Sequence, residues 1–485
     1  MANKIANLWE NFVNKFFLFA PTFVVCLTFL PCGLIFGYTI CSLIAERNVN
    51  AGLIEYGPMI FGGCTGFVIA LIMFMVKFLK GRIIFWHIPI LLCAGVSNLL
   101  ASCFYFANDM DTAGAFISYF AYSLNYIAGL SFLHTTLHKR SRSIMLALAF
   151  CIFLLGTAAA ISLIGTSYTK PDNTGNTTTN EVPDGLYVGF AGLYLSISIV
   201  ILGVLIGLKV LDFYGVVDCQ NILDNEFRIA NSNGSIFDKR KDIIKRVKFL
   251  YVTKNQQWNV TLVVLFTEAI QYALFVYYIF WFVMNPGIRL TPVDNVDAML
   301  WVVFAGSAVC VLAMVFFSVK VTFVANEICL IILTILSMII CSSVDTKLPL
   351  WFILLFFGLS FCNLQISIVE VSHFRYTELL FFVSYLAKLI STSMVYYYFV
   401  SNSKNSFFYA DDPSTIMAQG FVYLIITALV ALVVGVKVPR TYCMTLFEIQ
   451  YDLLGVIFKQ HEIEQLDVTC LHDGSIPTIS AHAHY

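Results

Sequence analysis

The sequence predicts an all-α polytopic membrane protein, with twelve transmembrane helices in two sets of six and both chain termini in the cytoplasm. Three observations carry that prediction. Of the 485 residues, 59% are hydrophobic and 12% charged, whereas a soluble domain carries about 25% charged residues. The apolar residues fall into runs of the length a helix needs to cross a hydrocarbon core about 30 Å thick. The basic residues gather on one side of those runs, as the positive-inside rule requires.

Taken in order, the chain begins with a lead-in, 1–16, that lacks the regions of a cleaved signal peptide and reads as a short amphipathic segment. A first set of six spans is expected at 17–45, 56–79, 83–106, 113–137, 142–166 and 186–209. A polar stretch, 210–257, follows as a cytoplasmic linker, and its part "FDKRKDIIKRVKFLYVTK" has a basic helical pattern. That part reads as a solvated linker helix, with contact to an anionic inner leaflet as the alternative. The second set is expected at 258–283, 298–319, 321–342, 348–371, 377–400 and 416–437, with a cytoplasmic tail over 438–485.

This arrangement puts Lys77, Lys80, Arg82, Lys139, Arg140, Lys320, Arg375 and the basic linker inside, and leaves only Arg47, Lys170, Arg289, Lys347 and Lys404 outside. It also puts the sequon Asn176-Thr177-Thr178 on the outer side, which makes Asn176 a glycosylation candidate. Most of the fourteen cysteines sit in apolar runs, where they act as small hydrophobes. No Cys/His set has zinc-ligand spacing, so neither metal nor cofactor is expected. The net charge of −1 is spread over loops and forms no groove for nucleic acid. The expected setting is the plasma membrane or an endolysosomal membrane, with the chain as a monomer in the lipid bilayer.

Six spans, a long polar loop and six more spans already form a recognisable pattern. Between spans two and three the chain reads "FMVKFLKGRIIF", where Gly81 and Arg82 match the closing Gly-Arg of a known loop signature and Lys77 and Lys80 add positive charge. Between spans four and five, "LHKRSRS" is again basic. In these features residues 17–437 resemble the major facilitator superfamily of secondary transporters. The signature's Asp is replaced by an apolar residue, and span five lacks the Gly-Pro pair of many of the family's antiporters, so no motif names a substrate. The resemblance implies two pseudo-symmetric six-helix bundles around a central cavity lined by spans one, four, seven and ten. Alternating access would then come from rocking of the bundles. The partners it implies are a small-molecule solute and, as candidate coupling ion, a proton.

Polar residues inside spans narrow the candidate site. Glu268 lies ten residues after Trp258, roughly 15 Å into the membrane, where an unpaired carboxylate costs roughly 3 kcal/mol. Gln271 and Tyr272 follow at i+3 and i+4, which places all three on one face. Lys388 in span eleven lies at a similar depth, with Ser384, Ser391 and Thr392 nearby in sequence. In the fold that the chain resembles, spans seven and eleven are neighbours, which implies a Glu268–Lys388 pair. That pair is either a structural clamp or a proton- and substrate-binding site, and the sequence leaves both open. Further candidates to contact substrate are Tyr122 and Asn125 in span four, with Tyr126 alongside, and Asn363 in span ten. Glu370, His373, Arg375 and Glu378, at the inner ends of spans ten and eleven, form a candidate cytoplasmic gate.

The function that follows is a secondary transporter of a small organic solute. The alternative is a non-transporting receptor or scaffold on a transporter-like fold. An embedded enzyme is disfavoured, since the sequence offers no His/Asp ligand cluster and no Ser/His dyad at matched depth.

Overall fold

Within a bilayer every backbone N–H and C=O needs an internal partner, so runs this apolar are driven into helices. In the computed structural model of the chain, residues 22–49, 56–80, 86–106, 111–136, 142–165, 184–210, 256–284, 296–343, 351–361, 377–401 and 413–438 are described. The first set of helices is α1 (Phe29–Val49), α2 (Tyr56–Lys80), α3 (His87–Phe106), α4 (Asp111–Thr136), α5 (Arg142–Gly165) and α6 (Asp184–Val210). The second is α7 (Gln256–Met284), α8 (Val296–Phe316), α9 (Val319–Ser343), α10 (Trp351–Phe361), α11 (Thr377–Ser401) and α12 (Pro413–Lys437). Among the described residues there is no strand, and ten helices are long and apolar enough to cross a membrane. Two shorter apolar stretches, Trp351–Phe361 and Gly420–Val436, lie where spans ten and twelve are expected. The lead-in 1–16, Asn176, the basic stretch 237–254 and the tail beyond 438 lie outside the described residues.

Two local features show how sequence sets the helix ends. Pro31 has no N–H for the Leu27 carbonyl, and its ring crowds that carbonyl. The helical run described from Thr22 is interrupted at Thr28, whose hydroxyl donates to the Val25 carbonyl at 2.7 Å. Between spans eight and nine the sequence reading puts the break at Lys320, but the helices part at Phe317–Ser318. Ser318 is the reason, because its Oγ accepts from the Val321 N–H at 3.3 Å as an N-cap.

Small residues bring the helices together. On α1, a Cβ at Gly33 would lie 1.8 Å from the Phe153 carbonyl oxygen of α5, and one at Gly156 would lie 2.4 Å from that of Leu30. Thr157 seals this contact by donating to the Gly33 carbonyl at 3.1 Å. Gly62 and Gly66 of α2 approach α4 in the same way, and Gly306 of α8 and Gly358 of α10 repeat the device in the second set. Such close approach is how helices associate where lipid removes the hydrophobic drive. Packing of α3 on α6 in the first set is matched by α9 on α12 in the second, and α1 on α5 by α7 on α11. The faces turned away from these contacts carry exposed apolar side chains, among them Phe266, Leu312, Ile339 and Leu432, as a lipid-facing surface must.

The two sets meet along α5 with α8 and along α2 with α11. Phe67 and Phe74 of α2 pack on Phe382 of α11, and Trp86 stacks on the same ring. On the other seam, Trp301 Nε1 donates to Ser162 Oγ at 2.8 Å. Trp301→Phe keeps the ring and deletes that bond. It is expected to weaken the closed seam by about 1 kcal/mol, the net worth of one hydrogen bond, seen as faster labelling of a cysteine placed at Ala159, one turn back on α5, with Ser162 kept. Unchanged labelling would remove the bond from the list of contacts that hold the seam.

Candidate functional site

The α7 residues divide by face as amphipathic packing dictates. Leu262 and Phe266 are 52% and 69% exposed, whereas Glu268, Gln271, Tyr272 and Phe275 are all buried. On α11, Ser384, Tyr385, Lys388 and Thr392 are likewise buried, with Val383, Ile390 and Met394 facing out. The two buried stripes face each other, and Lys388 Nζ donates to Glu268 Oε1 at 2.7 Å. The pair implied by the sequence is formed.

Its surroundings are richer than the sequence indicates. Ser384 Oγ donates to Glu268 Oε1 at 3.2 Å, while Glu268 Oε2 has no hydrogen-bond partner among the described residues. Lys388 also donates to the Tyr126 hydroxyl of α4, so the ammonium is held from both sets of helices. Its Nζ lies 4.8 Å from the ring centre of Tyr126, 5.4 Å from that of Tyr272 and 5.9 Å from that of Phe150. Each distance is within cation–π range, and such contacts are worth about 2 kcal/mol when desolvated. The pair joins α7 and α11 within the second set, as expected, and the lysine also contacts the first set through Tyr126. The reason is length: the lysine stem reaches across to the α4 tyrosines.

Those tyrosines form one cluster. Tyr122 contacts Tyr126 and Tyr385, with centroids 6.1 and 6.0 Å apart, and Tyr119 continues the row. Tyr119 and Thr39 of α1 share a hydrogen bond, and the Tyr272 hydroxyl lies 3.3 Å from Thr392 Oγ1. Between them is a cavity of about 20 Å³, lined by Ile35, Phe36, Met59, Tyr119, Tyr122, Tyr272, Lys388, Leu389 and Thr392. That volume holds about one water. Its wall comes from α1, α2, α4, α7 and α11, and among the described residues Lys388 is its only charged lining residue.

Of the residues singled out from sequence, Glu268, Tyr272, Lys388 and Tyr122 are brought together here. Asn125 is not, since it is buried beside Cys32 of α1 and does not line the cavity. Gln271 turns to the other side of the stripe, beside Glu327 of α9. Positions i+3 and i+4 flank the direction of residue i, so one can face the cavity and the other the bundle interior. Asn363, Glu370, His373 and Arg375 lie outside the described residues, and Glu378 is the second residue of α11, with a side chain that is not described.

Sequence reasoning also missed residues. Tyr385 and Phe150 complete the lysine's surroundings, and nothing in an aromatic-rich chain marks them out. Glu327 did leave a signal, as an acidic residue inside "VKVTFVANEICLIILTILSMII". It is fully buried, accepting from Ser360 Oγ at 2.6 Å. A Ser/His contact at matched depth does exist, contrary to expectation, because antiparallel α3 and α4 bring His87 Nε2 to 2.8 Å from Ser131 Oγ. Both side chains are buried against Trp86 and Phe132, which makes the contact a helix–helix bond. No three His, Cys, Asp or Glu side chains converge as metal ligands among the described residues.

Helix pairs repeated in two related sets, meeting at α2–α11 and α5–α8 over a central cavity, define a polytopic fold of two helical sets. That fold is the major facilitator superfamily fold, shared with solved structures of transporters in that superfamily. The proton:xylose symporter XylE bound to 6-bromo-6-deoxy-D-glucose aligns with a TM-score of 0.63 at 14% identity, over 90% of this chain and 99% of that one. The xylose transporter XylE from E. coli in a partially occluded inward open conformation gives 0.54 at 13% identity, over 87% and 98%. The E. coli fucose:proton symporter FucP gives 0.50 at 13% identity, over 87% and 100%. No protein-family model matches the sequence, and no curated protein matches it.

Proposed function

We propose that the protein is a secondary transporter that moves a small polar organic solute by alternating access, with a proton as the coupling ion. The observation that carries this reading is the position of Lys388. It is bonded to Glu268 in its own set of helices and to Tyr126 in the other, on the wall of a cavity lined by both. In the closed form the cavity has room for about one water, so a solute enters only when the two sets separate. Separation breaks the Tyr126 contact and leaves the ammonium with Glu268, free to meet oxygen atoms of a solute. The rings of Phe36, Tyr119, Tyr122 and Tyr272 supply faces against which its apolar side would rest. The sugar:proton symporters that share the fold support a solute of this kind.

The test is uptake into proteoliposomes from a panel of small solutes, with and without an inward proton gradient. Saturable uptake by the wild-type chain is expected. Glu268→Gln is expected to lose gradient-driven uptake while keeping exchange, because an amide cannot take up and release a proton. A well-folded chain that moves no solute would favour a receptor or scaffold instead.

A further inference from the structure

A second polar cluster lies away from the cavity, and the mechanism above does not use it. Glu327 of α9 has no exposed surface. Its Oε1 accepts from Ser360 Oγ of α10, and its Oε2 has no partner among the described residues. The groups around it are Asn326 on its own helix, Gln271 of α7, Ser360 of α10 and Tyr423 of α12, with Thr427 next to Tyr423. Among these described neighbours there is no Lys, Arg or His. Tyr423 is the other titratable group, and a phenol adds no positive charge. The contrast with Glu268 is plain, since that carboxylate has an ammonium at 2.7 Å.

A buried charge of this kind is tolerated when paired, and otherwise it neutralises. Glu327 has one hydroxyl and the edges of two carboxamides. Among the described residues, Gln271 Nε2, Asn326 Oδ1 and Asn326 Nδ2 form no well-shaped hydrogen bond, though both carboxamides lie beside the Glu327 carboxyl. Gln271 stands one turn from Glu268 on α7 and its side chain lies beside Glu327, so its amide can donate to that carboxyl when it ionises. Lys388, Glu268, Gln271 and Glu327 thus form a row of polar groups from the cavity to the interior of the second set.

We propose that Glu327 is a proton-binding site, a neutral carboxylic acid in the closed form, and that its proton is the one exchanged during transport. The second half rests on the transporter reading, and the first does not. A proton fits the site better than a metal cation because it requires no coordination shell, and the side chain is packed with no exposed surface. The balance of the step is simple: the O–H bond at Glu327 breaks, the carboxylate keeps the electron pair, and the proton passes to the cavity by way of Glu268.

Two measurements on the full reconstituted chain decide the matter. Infrared spectroscopy at neutral pH should show the C=O stretch of a protonated carboxylic acid, absent in Glu327→Gln and retained in Glu268→Gln. A band that survives in folded Glu327→Gln, or no such band in the wild type, overturns the site without reference to transport. In uptake, the ratio of rates with and without the proton gradient should fall to unity in Glu327→Gln with exchange kept, and Glu327→Asp should restore gradient dependence. Wild-type gradient dependence in Glu327→Gln would overturn the coupling role. So would a sodium gradient that drives uptake in place of protons through the same residue. If the wild-type chain shows no saturable uptake, the transporter reading fails and takes the coupling role with it, while the infrared result still decides the site.

Discussion

Lys388→Ala is expected to abolish uptake and to destabilise the folded chain by about 3–5 kcal/mol, the penalty for leaving one member of a buried ion pair unpaired. The substitution leaves Glu268 with Ser384 as its remaining hydrogen-bond partner among the described residues. It also removes the stem that joins α11 to Tyr126 and the ring contacts to Tyr126, Tyr272 and Phe150. Glu268→Gln should be milder, because the ammonium keeps the Tyr126 hydroxyl and three ring faces, together worth about 2 kcal/mol or more. Thermal unfolding of the purified variants checks the order, with wild type highest, Glu268→Gln next and Lys388→Ala lowest. The double variant Glu268→Gln/Lys388→Met removes both charges at nearly constant volume and should recover most of the stability. If it also recovers gradient-driven uptake, the pair is a clamp and carries no proton or solute.

How much of this could be read from the chain differs between fold and site. The spans were legible because hydrocarbon imposes one rule on every backbone group, and the expected bounds 142–166 and 377–400 sit close to Arg142–Gly165 and Thr377–Ser401. The pairing of Glu268 with Lys388 was legible because both lie at similar depth and the fold that the chain resembles makes spans seven and eleven neighbours. The contribution of Tyr126, Tyr385 and Phe150 was not, because an aromatic residue in a span costs nothing to place and so carries no signal. Gln271 shows a finer limit. Helical spacing groups it with Glu268 and Tyr272, but only the positions of α9 and α11 determine which side of the stripe meets the cavity. Ser318 is a similar case, since a cap depends on the turn actually taken. Glu327 was open to the same depth argument as Glu268. Beyond Lys388, no Lys or Arg lies deep inside a span to suggest a partner for it.

Gly358→Ala is expected to be among the most damaging single methyl groups at the described glycines, with Gly33 and Gly306 of the same kind. A Cβ there would lie 1.8 Å from the Val303 carbonyl oxygen, 2.7 Å from its carbon and 3.0 Å from the Ser307 nitrogen. All three are backbone atoms of α8, so no side chain can rotate away. Carbon and carbonyl oxygen sit comfortably at about 3.3–3.6 Å, which requires α8 and α10 to part by well over an ångström. Overpacking relieved by side-chain movement costs about 1–3 kcal/mol, and a clash between two helix backbones should reach or exceed the top of that range. The effect would not stay local. α10 carries Ser360, which donates to Glu327, and Phe361, which stacks on Phe275 and Phe153 and meets Phe150 edge-on. Moving α10 therefore loosens both carboxyl sites at once, and uptake should fall together with thermal stability. Gly203→Ala on α6 is the matched control, because a Cβ there meets nothing within 4 Å. On helix propensity alone it should gain stability, by up to about 1 kcal/mol. Opposite signs for the same chemical change would show that the α8–α10 backbone contact, and not the helical preference of alanine, decides the outcome. A Gly358→Ala chain as stable and active as the wild type would mean that α8 and α10 are not in backbone contact.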